Sequence, residues 1–195
     1  EQARPTRAEA SDVANAVLDG TDAVMLSGET AIGKHPLLAL DAICRIVSEI
    51  EGSGVLTSGP KYLGHPTHED RSGATAREHA VALATVDAVQ YLAAPAVLVL
   101  TSSGFSARLV SSHRPPVPIF AVTTDPRTYC QLSAVWGVRP VLAPQQDVSY
   151  ESLTAFGKEA ILESGIGSSK DSIVVTTGFP FHQTGTTNAL RVEHL

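Results

Sequence analysis

Ala10, Val13, Ala14, Val17 and Leu18 recur at helical spacing behind Pro5 and a Thr6-x-x-Glu9 pair suited to a reciprocal capping box. This pattern predicts a helix that Gly20 ends. Ala23, Val24, Met25 and Leu26 follow without polar alternation, as expected for a strand covered on both faces by helices in a parallel sheet. The strand's end delivers Ser27 and Glu29 into a loop, and Pro36 opens a second helix with Leu37, Leu40, Ile43, Val47 and Ile50 on its apolar face. Helix, strand, loop and helix together make an α/β unit over residues 1–50.

The pattern breaks at residues 51–73, where Gly, Ser, Pro and His dominate and no periodicity is sustained, so this stretch reads as a linker. From residue 74 to 195 helical and strand patterns alternate. A helix is predicted over 76–92 with Ala80, Val81, Ala84, Ala88 and Leu92 on one side, and further helices over 106–112, 127–136 and 150–163. Strands are predicted over 96–100, 119–122, 138–142, 172–175 and 188–192. The short spacing from Gly185 to Asn188 suits a hairpin-like turn, so the last strand is expected to run antiparallel to its neighbour. The expected fold is a three-layer α/β/α domain on a mainly parallel five-stranded sheet.

Composition narrows the function classes. With 195 residues, 43% of them hydrophobic, the chain has enough apolar material for one or two globular domains. A net charge of −6 with interspersed signs offers no basic patch for nucleic acid, and no apolar run is long enough to span a bilayer. Two cysteines, Cys44 and Cys130, fall singly within helical patterns and are expected to be buried thiols, which with no signal peptide favours the cytoplasm.

Candidate chemistry lies in two loops. Gly28 to Lys34 matches the first seven positions of the phosphate loop GxxxxGK[ST] after an apolar strand, but His35 stands where Ser or Thr would hold magnesium, and Pro36 removes a neighbouring N–H. The second loop is Thr101-Ser102-Ser103-Gly104-Phe105-Ser106, at a strand's end and a helix's start. Clustered hydroxyls, a Gly and unpaired helix N–H groups make it either an anion site or a helix cap at Ser106. A serine hydrolase reading is weaker, since the GxSxG elbow is absent. His65, His68, Glu69 and Asp70 lie in the linker without a second ligand cluster, and no metal is assigned to them.

The stretch PTRAEASDVANAVLDG resembles the seventh barrel helix of pyruvate kinases, and DAVMLSGETAIGKHP resembles that family's eighth strand and following loop. The resemblance continues more loosely to the C-terminus. It implies the last helix, strand and helix of a TIM barrel, with Ser27 and Glu29 near the catalytic mouth, where barrel active sites sit. It further implies transfer of the phosphoryl group of phosphoenolpyruvate to ADP, giving pyruvate and ATP, with magnesium or manganese and potassium in the full-length enzyme and a homotetramer as the assembly. The chain supplies a single barrel strand and starts in mid-loop without an initiator Met, so it reads as an inactive fragment that binds none of these ions itself.

The same resemblance assigns Thr101, Ser102, Ser103, Gly104, Phe105 and Ser106 to the loop that holds an effector's phosphate. Residues 180–187, with His182, Thr184 and Gly185, match the family's effector loop. Members that bind fructose bisphosphate carry an Arg for the second phosphate; its position falls at about Leu153, which cannot bind an anion. QTGTTN resembles bacterial members, and the expected effector is AMP or a sugar monophosphate. Two other readings are a stand-alone effector-binding module without catalysis and a P-loop nucleotide hydrolase.

Overall fold

The computed structural model describes residues 2–55, 76–146, 148–179 and 186–195. Two compact units divide the chain, Glu1–Gly64 and His65–Leu195.

In the first unit, α1 (Arg7–Leu18) opens on the predicted capping box. Thr6 Oγ1 accepts from the Glu9 N–H at 3.3 Å, and the Glu9 carboxylate accepts from the Thr6 N–H at 2.7 Å. Gly20, at φ 89°, takes the left-handed turn that ends the helix. α2 (Gly28–Ala31) is a single turn, and α3 (Pro36–Gly52) starts at Pro36 as expected. The predicted strand over 23–26 is not formed. A strand is held by ladder bonds to neighbours, and among the described residues this segment has none. For the same reason the first unit's core is thin. Among its described residues Val17 and Ala42 are the buried apolar ones, whereas Leu37 and Leu40, assigned to the inner face of α3, are 78% and 50% exposed.

The second unit comprises α4 (Ala76–Leu92), β1 (Val97–Leu100), α5 (Phe105–Ser112), β2 (Ile119–Thr123), α6 (Pro126–Leu132), β3 (Val138–Leu142), α7 (Tyr150–Glu163), β4 (Ser172–Thr177) and β5 (Ala189–His194). Its five-stranded sheet has the order β3-β2-β1-β4-β5, parallel except for the antiparallel β4–β5 pair. The unbroken apolar runs of β1 and β4 follow from burial on both faces. Val97, Val99 and Val174 point to the layer of α4, α5 and α6, and Leu98, Leu100, Ile173 and Val175 point to α7.

Three sequence expectations are corrected here. The buried stripe of α4 is Ala82, Thr85, Val86 and Val89, not the set beginning at Ala80. The helix is apolar on most sides, and a polar residue completes its inner stripe: the Thr85 hydroxyl lies 2.8 Å from Val81 O and 2.7 Å from Thr176 Oγ1 inside the core. α6 stops at Leu132 rather than at Trp136, because Ser133 caps it and a turn through Gly137, at φ 68°, leads into β3. Cys44 and Cys130 are both exposed; their helical periodicity places them on outer faces.

Candidate functional site

The sheet's register brings the strand ends level. Leu100 pairs with Val122 on one side and Thr177 on the other, so the loops after β1, β2 and β4 leave the sheet at one height. The chain also changes direction there, since β1 leads outward to β2 and β3 while β4 lies on its other side. A cleft at such a switch point is where open parallel sheets bind ligands.

A partly open cleft lies there, and its rim carries Thr101, Ser102 and Ser103 after β1 with Thr123 and Thr124 after β2. Leu100, Val148 and Leu153 add apolar surface, and Gly178 and Thr186 close the side next to β4. Every one of these lining residues is neutral. Among the described residues the lining offers hydroxyls and backbone N–H groups and no lysine or arginine.

The 101–106 loop is tightly built. The Thr101 N–H extends the ladder to Val122 O at 3.0 Å, and Thr101 Oγ1 accepts from the Gly104 N–H at 2.9 Å. With its oxygen so used, the Thr101 hydroxyl hydrogen remains for a ligand. Gly104 sits at φ 79° as the N-cap of α5, a conformation that favours glycine, and makes no side-chain cap bond. The first turn of α5 therefore presents unpaired N–H groups next to the cleft. Ser106 is not the cap. It is buried, with its Oγ 2.6 Å from Thr187 Oγ1. Phe105 packs against the core on the α4–α5 side.

The far side of the cleft is anchored at its base. The Asn188 side chain accepts from the Phe179 N–H at 2.8 Å and donates to Phe179 O at 2.7 Å. A Cβ on Gly178 would collide with the backbone oxygen of Thr186, so glycine permits this close approach. His182, Thr184 and Gly185 lie outside the described residues, as do His65, His68, Glu69 and Asp70. Thr123, Thr124, Val148 and Gly178 were not singled out from the sequence, whereas Thr186 falls within the 180–187 segment; the Thr-Thr pair closing a predicted strand was the available signal.

Ser27 and Glu29 belong to the first unit, both exposed. The Glu29 carboxylate accepts from the Ser27 N–H at 2.9 Å, and hydrogen bonds from its own N–H and that of Ser27 hold it below the usual carboxylate range. The Gly28–Lys34 phosphate-loop pattern fails structurally. Its residues turn helical at once, so the N–H groups of Ala31 and Ile32 are spent on Ser27 O and Gly28 O, whereas a phosphate loop keeps such N–H groups converging on its ligand.

Residues 79–193 match the family described as pyruvate kinase, alpha/beta domain, and residues 1–40 match the pyruvate kinase, barrel domain family. The chain belongs to the pyruvate kinase family. It is 40% identical over 192 residues to a pyruvate kinase of Agrobacterium vitis, covering 96% of this chain and 38% of that protein. Against the pyruvate kinase of Clostridium acetobutylicum the identity is 37% over 190 residues, covering 97% of this chain and 39% of that enzyme. For Geobacillus stearothermophilus it is 38% over 190 residues, 97% of this chain and 31% of the relative. The chain thus spans less than two fifths of these relatives' lengths, and it matches the C-terminal part expected of a pyruvate kinase. Members of the family are kinases, and hence transferases. No helix among the described residues is long and apolar enough to cross a membrane.

Proposed function

We propose that this chain is the regulatory end of a pyruvate kinase that moves the phosphoryl group of phosphoenolpyruvate to ADP, and that its switch-point cleft binds the single phosphate of AMP or a sugar monophosphate. The supporting observation is the cleft itself, whose described lining is neutral and joins the Thr101, Ser102 and Ser103 edge, which leads into the start of α5, with the apolar Leu153. One phosphate fits the donors after β1, and Leu153 leaves no cation for a second.

In this reading catalysis belongs to the full-length cytoplasmic homotetramer, and the 195 residues alone are inactive. Among the described residues no three His, Cys, Asp or Glu side chains come together. No step is assigned to magnesium or potassium here. Regulation follows if the ligand touches both the 101–106 and 180–187 segments. It then shifts activity in proportion to its preference for one of two arrangements of the assembly.

The test is a titration of the full-length enzyme with AMP and with glucose 6-phosphate, repeated with Ser103→Ala and Ser106→Ala. The activation constant should rise in both variants. Superimposable curves for both variants and the parent would end the assignment.

A further inference from the structure

The 101–104 loop makes contacts with Arg108 and toward α6 that the phosphate reading does not use. The Ser103 carbonyl accepts from Arg108 Nη1 at 3.1 Å, and Arg108 Nη2 continues to Gln131 Oε1 on α6 at 3.2 Å. The Ser102 carbonyl lies 3.0 Å from the Thr128 hydroxyl, also on α6. That hydroxyl has one proton and a second acceptor, Asp125 Oδ2 at 2.8 Å, so its hold on Ser102 is shared and Arg108 is the firmer tie. The guanidinium also packs under Gly104, where an added Cβ would lie 2.6 Å from Nη1.

A trans peptide points its C=O and N–H in opposite directions. Drawing the Ser102 carbonyl toward α6 turns the Ser103 N–H away from it. Drawing the Ser103 carbonyl to Arg108 aims the Gly104 N–H at Thr101 Oγ1, which leaves the Thr101 proton as a donor. Two acceptors are thereby withdrawn and two donors remain. Without these ties the loop's carbonyls could turn toward an incoming anion and repel it.

We infer that Arg108 is a positioning residue for effector binding: it bridges the loop to Gln131, fixes the peptide planes of residues 102–104 and makes the loop anion-selective before any ligand arrives. The inference rests on the phosphate reading of this cleft. Arg108 acts through geometry, since its fork is engaged by neutral acceptors. A lysine, a point charge without the planar fork, cannot reproduce the bridge.

The experiment uses the full-length kinase carrying these residues, with glucose 6-phosphate and AMP as probes. Arg108→Met, Arg108→Lys, Gln131→Leu and the Arg108→Met/Gln131→Leu double variant are compared for activation constant, calorimetric affinity, activity without effector and melting temperature. Arg108→Met and Arg108→Lys should each weaken effector binding about tenfold, the size of one lost charge-assisted hydrogen bond, with activity in the absence of effector unchanged. Gln131→Leu should weaken it less, and the double variant should match Arg108→Met, because the two residues act as one bridge.

Full retention by Arg108→Lys with no effect of Gln131→Leu would show that charge alone matters and would overturn the inference. Unchanged binding in all four variants, with Ser103→Ala still impaired, would overturn it while leaving the phosphate site standing. Unchanged binding in Ser103→Ala as well would remove both. Should Arg108→Met fail to fold, Arg108→Lys and Gln131→Leu carry the same decision.

Discussion

Gly157→Ala sets two known effects against each other in the second unit. Gly157 is buried on α7 above the sheet, and a Cβ there would overlap Leu98 Cδ1 and approach Leu98 Cδ2 and Val122 Cγ2 at 2.9 Å each. In an exposed helix the change would stabilise by about 1 kcal/mol through helix propensity. Here the neighbours cannot retreat, since Leu98 and Val122 are fully buried on adjacent central strands. Overpacking of this kind costs about 1–3 kcal/mol. The net expectation is a loss of up to about 2 kcal/mol once propensity is subtracted. Trp136 is the single tryptophan and lies in this unit, with the Arg114 guanidinium 4.6 Å from its ring centroid. Its fluorescence during urea titration thus follows this unit. The control is the same change in a Leu98→Val background, which lacks the clashing δ-methyls and should relieve the penalty by at least about 0.5 kcal/mol. A gain of about 1 kcal/mol, equal in both backgrounds, would refute the close-packing account.

Three further outcomes can be measured. Thr85→Val should destabilise the unit by about 1–3 kcal/mol by leaving the Thr176 hydroxyl buried without its partner, and adding Thr176→Val should restore part of the loss in urea titrations. His113 is held below 6.5 by burial and then by His79, whose Nδ1 lies 3.2 Å from its Nε2. Its neutral form is favoured in the fold. Stability is therefore complete above the unfolded value of 6.5 and declines as pH falls from there through the folded value, a slope that His113→Gln should flatten in unfolding measured across that range. Burial, then the hydrogen bond and charge of Glu193, push the Tyr150 phenol up to about 12. Glu193→Gln should move its ultraviolet titration back toward 10.0, and an unmoved curve would mean that burial alone sets it.

The elements most legible in the sequence were those whose pattern and environment agree. β3 and α7 begin and end where their periodicity predicts, and β5 runs antiparallel to β4 as expected. The segment 23–26 misled because an apolar run reports burial demand, whereas a strand also requires neighbours. The face of α4 was misread because Thr85 is polar yet buried, its hydroxyl satisfied across the core by Thr176. In the candidate site, the loop after β1 announced itself by clustered hydroxyls ahead of a helix. Thr123 and Thr124 did not, because only the level register of the strand ends assembles them beside it.

The two sides of the cleft are joined by a direct polar contact whose position separates two roles. Ser103 is exposed on the rim, but Ser106 is buried beneath it, with its hydroxyl 2.6 Å from the fully buried Thr187 and 3.5 Å from Thr186 O. Ser106 thus ties the first turn of α5 to the segment leading into β5, whose base Asn188 fastens to Phe179. If the cleft holds a phosphate, removing the Ser103 hydroxyl subtracts one of its donors and leaves this tie intact. Removing the Ser106 hydroxyl takes from Thr187 its 2.6 Å partner and loosens the tie between these two segments. If the cleft regulates by bridging, Ser103→Ala should act on effector affinity, whereas Ser106→Ala should also change how much activation a saturating effector produces.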